Sequence, residues 1–124
     1  TEAVMIGNRA ELYSLLGRYT LSEREQKRAL EAHRAAGNPR FIPFVLETRA
    51  QLYCDTGRVA DALASLREAI ATIRLQRNPL REVLLLQTLA ALLIRTGGDD
   101  PAVRSEAADL EAQASALAAA HKAR

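Results

Sequence analysis

The chain has 124 residues, and its 17 Lys and Arg are nearly balanced by 15 Asp and Glu for a formal net charge of +2. That length predicts one domain, and the interspersed charges, with no basic run longer than two, disfavour binding driven by phosphates. The lone cysteine, Cys54, excludes an internal disulfide and points to a reducing, cytoplasmic setting, while no apolar run approaches the length of a membrane span.

The opening residues TEAVMIG lack the basic-then-apolar layout of a secretory signal. The chain is read as a fragment of a larger protein. A first helix is expected from about Ala3 to Leu16, closed by Gly17 in the left-handed conformation that ends a last turn. Thr20-Leu21-Ser22-Glu23 then reads as a capping box opening the second helix. Asn38-Pro39 offers an N-cap and a helix-compatible proline, but Pro43 defers the third helix to about Phe41–Pro43, from where it runs to Thr56 and stops at Gly57. From Val59 to Arg77, the positions Val59, Ala62, Leu63, Leu66, Ala69, Ile70 and Ile73 form one wide apolar face. Arg74 and Arg77 place positive charge where the helix dipole favours it. Asn78-Pro79 opens a fifth helix, about Leu80 to Thr96, closed by Gly97. Asp100-Pro101 opens the last, to about His121, with Val103, Ala107, Leu110, Ala114 and Leu117 on one stripe. No segment alternates with period two.

These elements repeat. Residues 8–19 (NRAELYSLLGRY), 48–59 (TRAQLYCDTGRV) and 88–99 (TLAALLIRTGGD) echo one another at a spacing of forty, aligning Ala10, Ala50 and Ala90, then Leu12, Leu52 and Leu92, then Gly17, Gly57 and Gly97. A fixed period in this range marks stacked supersecondary units, which usually serve as binding surfaces.

The middle copy, with Leu46, Ala50, Tyr53, Gly57, Ala62, Leu66 and Ala69, resembles the tetratricopeptide repeat. Ile6, Ala10, Tyr13, Gly17, Tyr19 and Ala29 carry the pattern in the first copy, and Leu86, Leu89, Ala90, Leu93, Gly97 and Ala102 in the third. The resemblance implies an all-α fold of six helices: three antiparallel hairpins stacked as a right-handed superhelix. The single domain 1–124 would hold repeats of about 3–38, 39–78 and 79–122. The long period is similar to that of helical domains in bacterial regulators of the maltose-activator and LuxR type. Arg9 and Arg49 stand where the pattern wants Leu, Ser22 and Gln26 replace a small and a bulky residue, and Asp109 replaces a small one.

In this family the first helices of successive repeats line a concave groove. The resemblance therefore puts Gly7, Glu11 and Ser14, then Phe44, Glu47, Gln51 and Cys54, then Leu84, Gln87, Ala91 and Ile94 on the inner face. Glu11, Phe44, Glu47, Gln51 and Gln87 are the candidate partner-binding residues. The Lys, Arg and Asn that grip a peptide carboxylate in some family members are absent there, leaving a protein or peptide of basic and apolar character as the expected ligand. The last helix, rich in Ala, is the expected face for a second copy or a neighbouring domain. Arg9 and Arg49 read as anion ligands or, more simply, as snorkelling or paired with carboxylates such as Glu11 or Glu47. Cys54, His33 and His121 lack the companions of a nucleophilic or metal site, and the glycines lack the Lys of a phosphate loop. The expectation is a non-catalytic interaction or oligomerisation module without cofactor, metal or membrane. A nucleic-acid-binding repeat and an accessory domain of a multidomain enzyme are the alternatives.

Overall fold

Ala- and Leu-rich segments cost little to hold as helix, and three-and-four apolar spacing gives each a face to bury. A computed structural model of the chain describes Ile6, Arg9, residues 17–37 and residues 39–122. Among these the regular structure is entirely helical, without strands. It comprises α1 (Tyr19–Ala35), a 3-10 turn (Pro39–Phe41), α2 (Ile42–Asp55), α3 (Val59–Gln76), α4 (Pro79–Gly97) and α5 (Pro101–Lys122). The helix expected from Ala3 to Leu16 lies outside the described residues except for Ile6 and Arg9, both helical. The chain divides into two compact units, Thr1–Ala69 and Ile70–Arg124.

In the first unit α1 packs on α2 and on the 3-10 turn. Ala29 and Leu30 of α1, Val45, Leu46 and Leu52 of α2, and Ala62 and Leu66 of α3 are all buried. Ser65 on α3 is buried too, and its hydroxyl donates to the Leu46 carbonyl at 2.8 Å, satisfying a group that would otherwise be costly to bury. Arg34–Glu68 (3.4 Å) joins α1 to α3 at the surface, and Arg58–Glu23 (3.3 Å) joins α1 to the residue just before α3. Such exposed pairs contribute little each.

In the second unit α4 packs along α5. Leu85, Leu86, Leu89, Ala90, Leu92 and Leu93 are buried on α4, but only Ala107 and Ala114 on α5. Small residues on α5 let the two backbones come close. Gly97 serves the same end, since a Cβ there would run into the side chain of Val103. Arg74, in the last turn of α3, reaches Glu82 at 3.1 Å and Gln113 at 3.0 Å.

The helix ends follow local chemistry, with two corrections. Asn78 caps α4 by accepting from the Arg81 N–H at 3.1 Å, with Pro79 at the first helical position. Asp100 accepts from the Ala102 N–H at 2.9 Å as α5 begins. After α2 the Gly57 N–H donates to the Cys54 carbonyl (3.2 Å) and the Arg58 N–H to the Tyr53 carbonyl (2.7 Å), with Gly57 at φ +77°. This double closure needs the left-handed residue that glycine supplies. The capping box at Thr20 does not form. Gly17, at φ +74°, turns the chain early, so Arg18 is the cap residue and Thr20 is already inside α1. Gly97 is not the closing residue either: it is the last helical residue of α4, and the positive φ falls on Gly98, at +59°.

Candidate functional site

Helix α2 begins after Phe41, with Pro43 in its first turn. That register puts Phe44, Glu47 and Gln51 on one face, at spacings of three and four. Phe44 and Glu47 are half-buried and Gln51 is exposed. Oε2 of Glu47 is shielded from solvent. Gln51 Nε2 donates to Asp55 Oδ1 at 2.9 Å, a contact one turn apart that aligns the amide with the carboxylate. Glu47 and Asp55 make the face acidic. Asp55 extends the expected set, and its spacing of four from Gln51 was the available signal.

Arg49, the one basic residue of α2, and Arg58 just beyond the helix point elsewhere. Arg49 Nε donates to the Tyr53 hydroxyl at 2.8 Å, while the Arg58 guanidinium lies 4.3 Å from the centroid of the same ring. Arg58 also reaches Asp61 at 2.9 Å and Glu23 at 3.3 Å, and the hydrogen bond to Asp61 leads in raising its pKa further. Arg9 pairs with Glu25 at 3.4 Å, and Arg28 reaches the same carboxylate at 2.8 Å. Arg9 and Arg49 thus have structural partners, although Glu25 and Tyr53 are not the ones expected.

Gln87 belongs to the second unit and is exposed on α4. Its surroundings are apolar: Leu80, Leu84, Ala91 and Ile94 follow the same helical face, with Leu80 62%, Leu84 47% and Ile94 53% exposed. Leu80 escaped the sequence reading although it stands one turn before Leu84. Glu11 lies outside the described residues. Phe44, Glu47 and Gln51 therefore form one contiguous set on α2, and Gln87 belongs to a second, chemically different face.

His33 is buried at 2% exposure, with its ring centroid 5.4 Å from that of Phe41. Burial favours the neutral imidazole and lowers its pKa. Cys54 is half-buried near the end of α2. No group of three or more His, Cys, Asp or Glu with metal-binding geometry occurs among the described residues, and no helix among them is long and apolar enough to cross a membrane.

No protein-family model, no curated protein and no solved structure matches the chain.

Proposed function

We propose that this chain is a non-catalytic module that binds another protein, built on three tetratricopeptide-like hairpins and working in the cytoplasm as part of a bacterial regulatory protein. The observation carrying this reading is the forty-residue register of burial shared by α1 and α3, the second helices of the first two hairpins. Ser22, Glu25, Gln26, Ala29, Leu30 and His33 on α1 are buried, and so are Ala62, Ser65, Leu66, Ala69, Ile70 and Ile73 on α3. Every residue of the first set stands forty before its counterpart. Architectures of repeated helix pairs use helix faces left outside the packing to hold partners. The acidic face of α2 supplies one such surface, suited to a segment carrying basic and apolar side chains.

The test is affinity capture with the native chain and with a Glu47→Lys/Gln51→Lys variant, both checked for helix content by circular dichroism. The native chain is expected to retain a protein that the variant loses, because the partner meets two new positive charges. Equal recovery by both would remove the α2 face from the reading. Salt-sensitive retention of RNA or DNA instead of protein would favour a nucleic-acid-binding repeat.

A further inference from the structure

Two helix-to-helix connections stand forty residues apart and are closed by different chemistry. Before α4, the Asn78 side chain accepts from the Arg81 N–H and the helix starts at Pro79. Forty residues earlier Pro39 opens a 3-10 turn instead, and α2 starts only at Ile42. Phe41, the residue before it, makes no side-chain hydrogen bond to the helix end, and Pro43 in the first turn has no N–H to give. No residue of the turn is buried.

What the turn has in place of a cap is a ring contact. Phe41 lies against His33, in the last turn of α1, with the two rings inclined at 33°. The positions forty residues on hold Ile73 and Arg81, so the second connection has no such pair. The end of α1 is thus tied to the start of α2 through a buried side chain that changes charge near neutrality.

Protonation puts a cation where a neutral imidazole is now buried, which favours its exposure to water. The Phe41 ring offers that cation little compensation, because the Arg40 guanidinium already lies 5.7 Å from the ring centroid. The other charged side chains on the elements packed with α1 are Glu47, Arg49 and Asp55 of α2. Arg34 follows His33 on α1 and is held by Glu68 of α3. None of these is a cause of the lowered imidazole pKa, which comes from burial.

We propose that His33 and Phe41 form an acid-sensitive latch: the charged imidazole leaves the Phe41 ring, the 3-10 turn opens, and α2 frays from the end where Phe44 begins the partner-binding face. The closed turn is fully favoured above the ordinary imidazole value of about 6.5 and gives way as pH falls below it. This rests on the reading of Phe44, Glu47 and Gln51 as that face and adds its regulation.

Proton NMR of the full chain between about pH 8 and about pH 5 tests the latch. The Overhauser contact between the two rings is expected to vanish with the midpoint of the His33 ring titration, while the methyl signals of Leu66 and Leu86 keep their native shifts. His33→Ile is expected to show no transition in the turn. Phe41→Ala is expected to open the turn at neutral pH and to bring the His33 midpoint up toward its ordinary value. A ring contact that persists with His33 protonated would overturn the latch, as would one lost only together with the native shifts of Leu66 and Leu86. Affinity capture on either side of the midpoint reads the consequence. The native chain is expected to lose on the acid side the protein it retains at neutral pH. His33→Ile is expected to keep it at both, which separates the latch from titration of the α2 carboxylates. Equal capture by the native chain at both would overturn the proposal. A ring transition in a chain that captures nothing at either pH would remove the α2 reading and leave the latch standing.

Discussion

Helices α1 and α3 bury the same six positions and fill them with different chemistry. On α3 they hold Ala62, Ser65, Leu66, Ala69, Ile70 and Ile73, and on α1 Ser22, Glu25, Gln26, Ala29, Leu30 and His33. The hydroxyl of Ser65 goes to the Leu46 carbonyl of the neighbouring helix. The polar groups of α1 are served mostly from within: Gln26 Nε2 donates to Ser22 Oγ at 3.0 Å and Arg28 holds Glu25 at 2.8 Å. Gln26 Oε1 is left buried without a hydrogen bond. The lesson is that in α1 and α3 the register specifies which positions face inward, while residue chemistry determines how much each burial contributes; α5 departs from it, leaving Ala102, Ser105, Asp109 and Gln113 exposed and burying Ala107 and Ala114.

Exchanging the two chemistries tests this most strongly. Leu66→Gln is expected to destabilise the chain by about 4 kcal/mol, combining lost apolar burial with an unsatisfied amide. Denaturant midpoints measure it. The reverse change, Gln26→Leu, is expected to stabilise by about 1 kcal/mol, because it removes the orphaned oxygen and leaves Ser22 its other interaction. A stabilising Leu66→Gln would break the comparison.

The glycines forty apart sharpen it next. Gly57→Ala should cost about 1–2 kcal/mol because the position is left-handed. Gly97→Ala gains about 1 kcal/mol of helix propensity and loses about 1–3 kcal/mol to the collision with Val103, for a small net loss. A double-mutant cycle separates the causes: Val103→Ala should couple to Gly97→Ala and add independently to Gly57→Ala.

Gly37 and Arg77 are also forty apart and both left-handed, at φ +64° and +52°. Arg77→Gly is therefore expected to raise stability by about 1 kcal/mol or less, the scale of relief for a side chain held in that region. The last effect is in pH. His33 has its pKa lowered by burial, so the unfolded chain binds more protons between the folded pKa and the ordinary value of about 6.5. Stability is present in full above that value and declines as pH falls through it. His33→Ile, which borrows the counterpart Ile73, should remove this contribution from a plot of unfolding free energy against pH.

The helix starts at Asn78-Pro79 and Asp100-Pro101 were legible because cap chemistry is local. Gly57 was legible for the same reason. Thr20 misled because a capping box is only a pattern, and the turn at Gly17 places the first helical residue at Tyr19. Gly97 misled because the next residue is also glycine, and only the approach of Val103 decides which one leaves the helix. Arg77 carries no turn signature of its own, so only its alignment with Gly37 could have shown its conformation. At the candidate site, helical spacing was enough to group Phe44, Glu47 and Gln51. The hydrogen bond from Gln51 to Asp55 and the orientation of Arg49 toward Tyr53 depend on rotamers that spacing does not fix.

The most direct test of the forty-residue register is to write the α3 chemistry into α1 in one chain: Ser22→Ala, Glu25→Ser, Gln26→Leu, Leu30→Ile and His33→Ile. Thermal unfolding followed by circular dichroism at neutral and acid pH gives the answer. A shared register predicts native helix content, a higher midpoint and a loss of the acid sensitivity traced to His33. A chain that loses helix or unfolds at a lower temperature at neutral pH would contradict it.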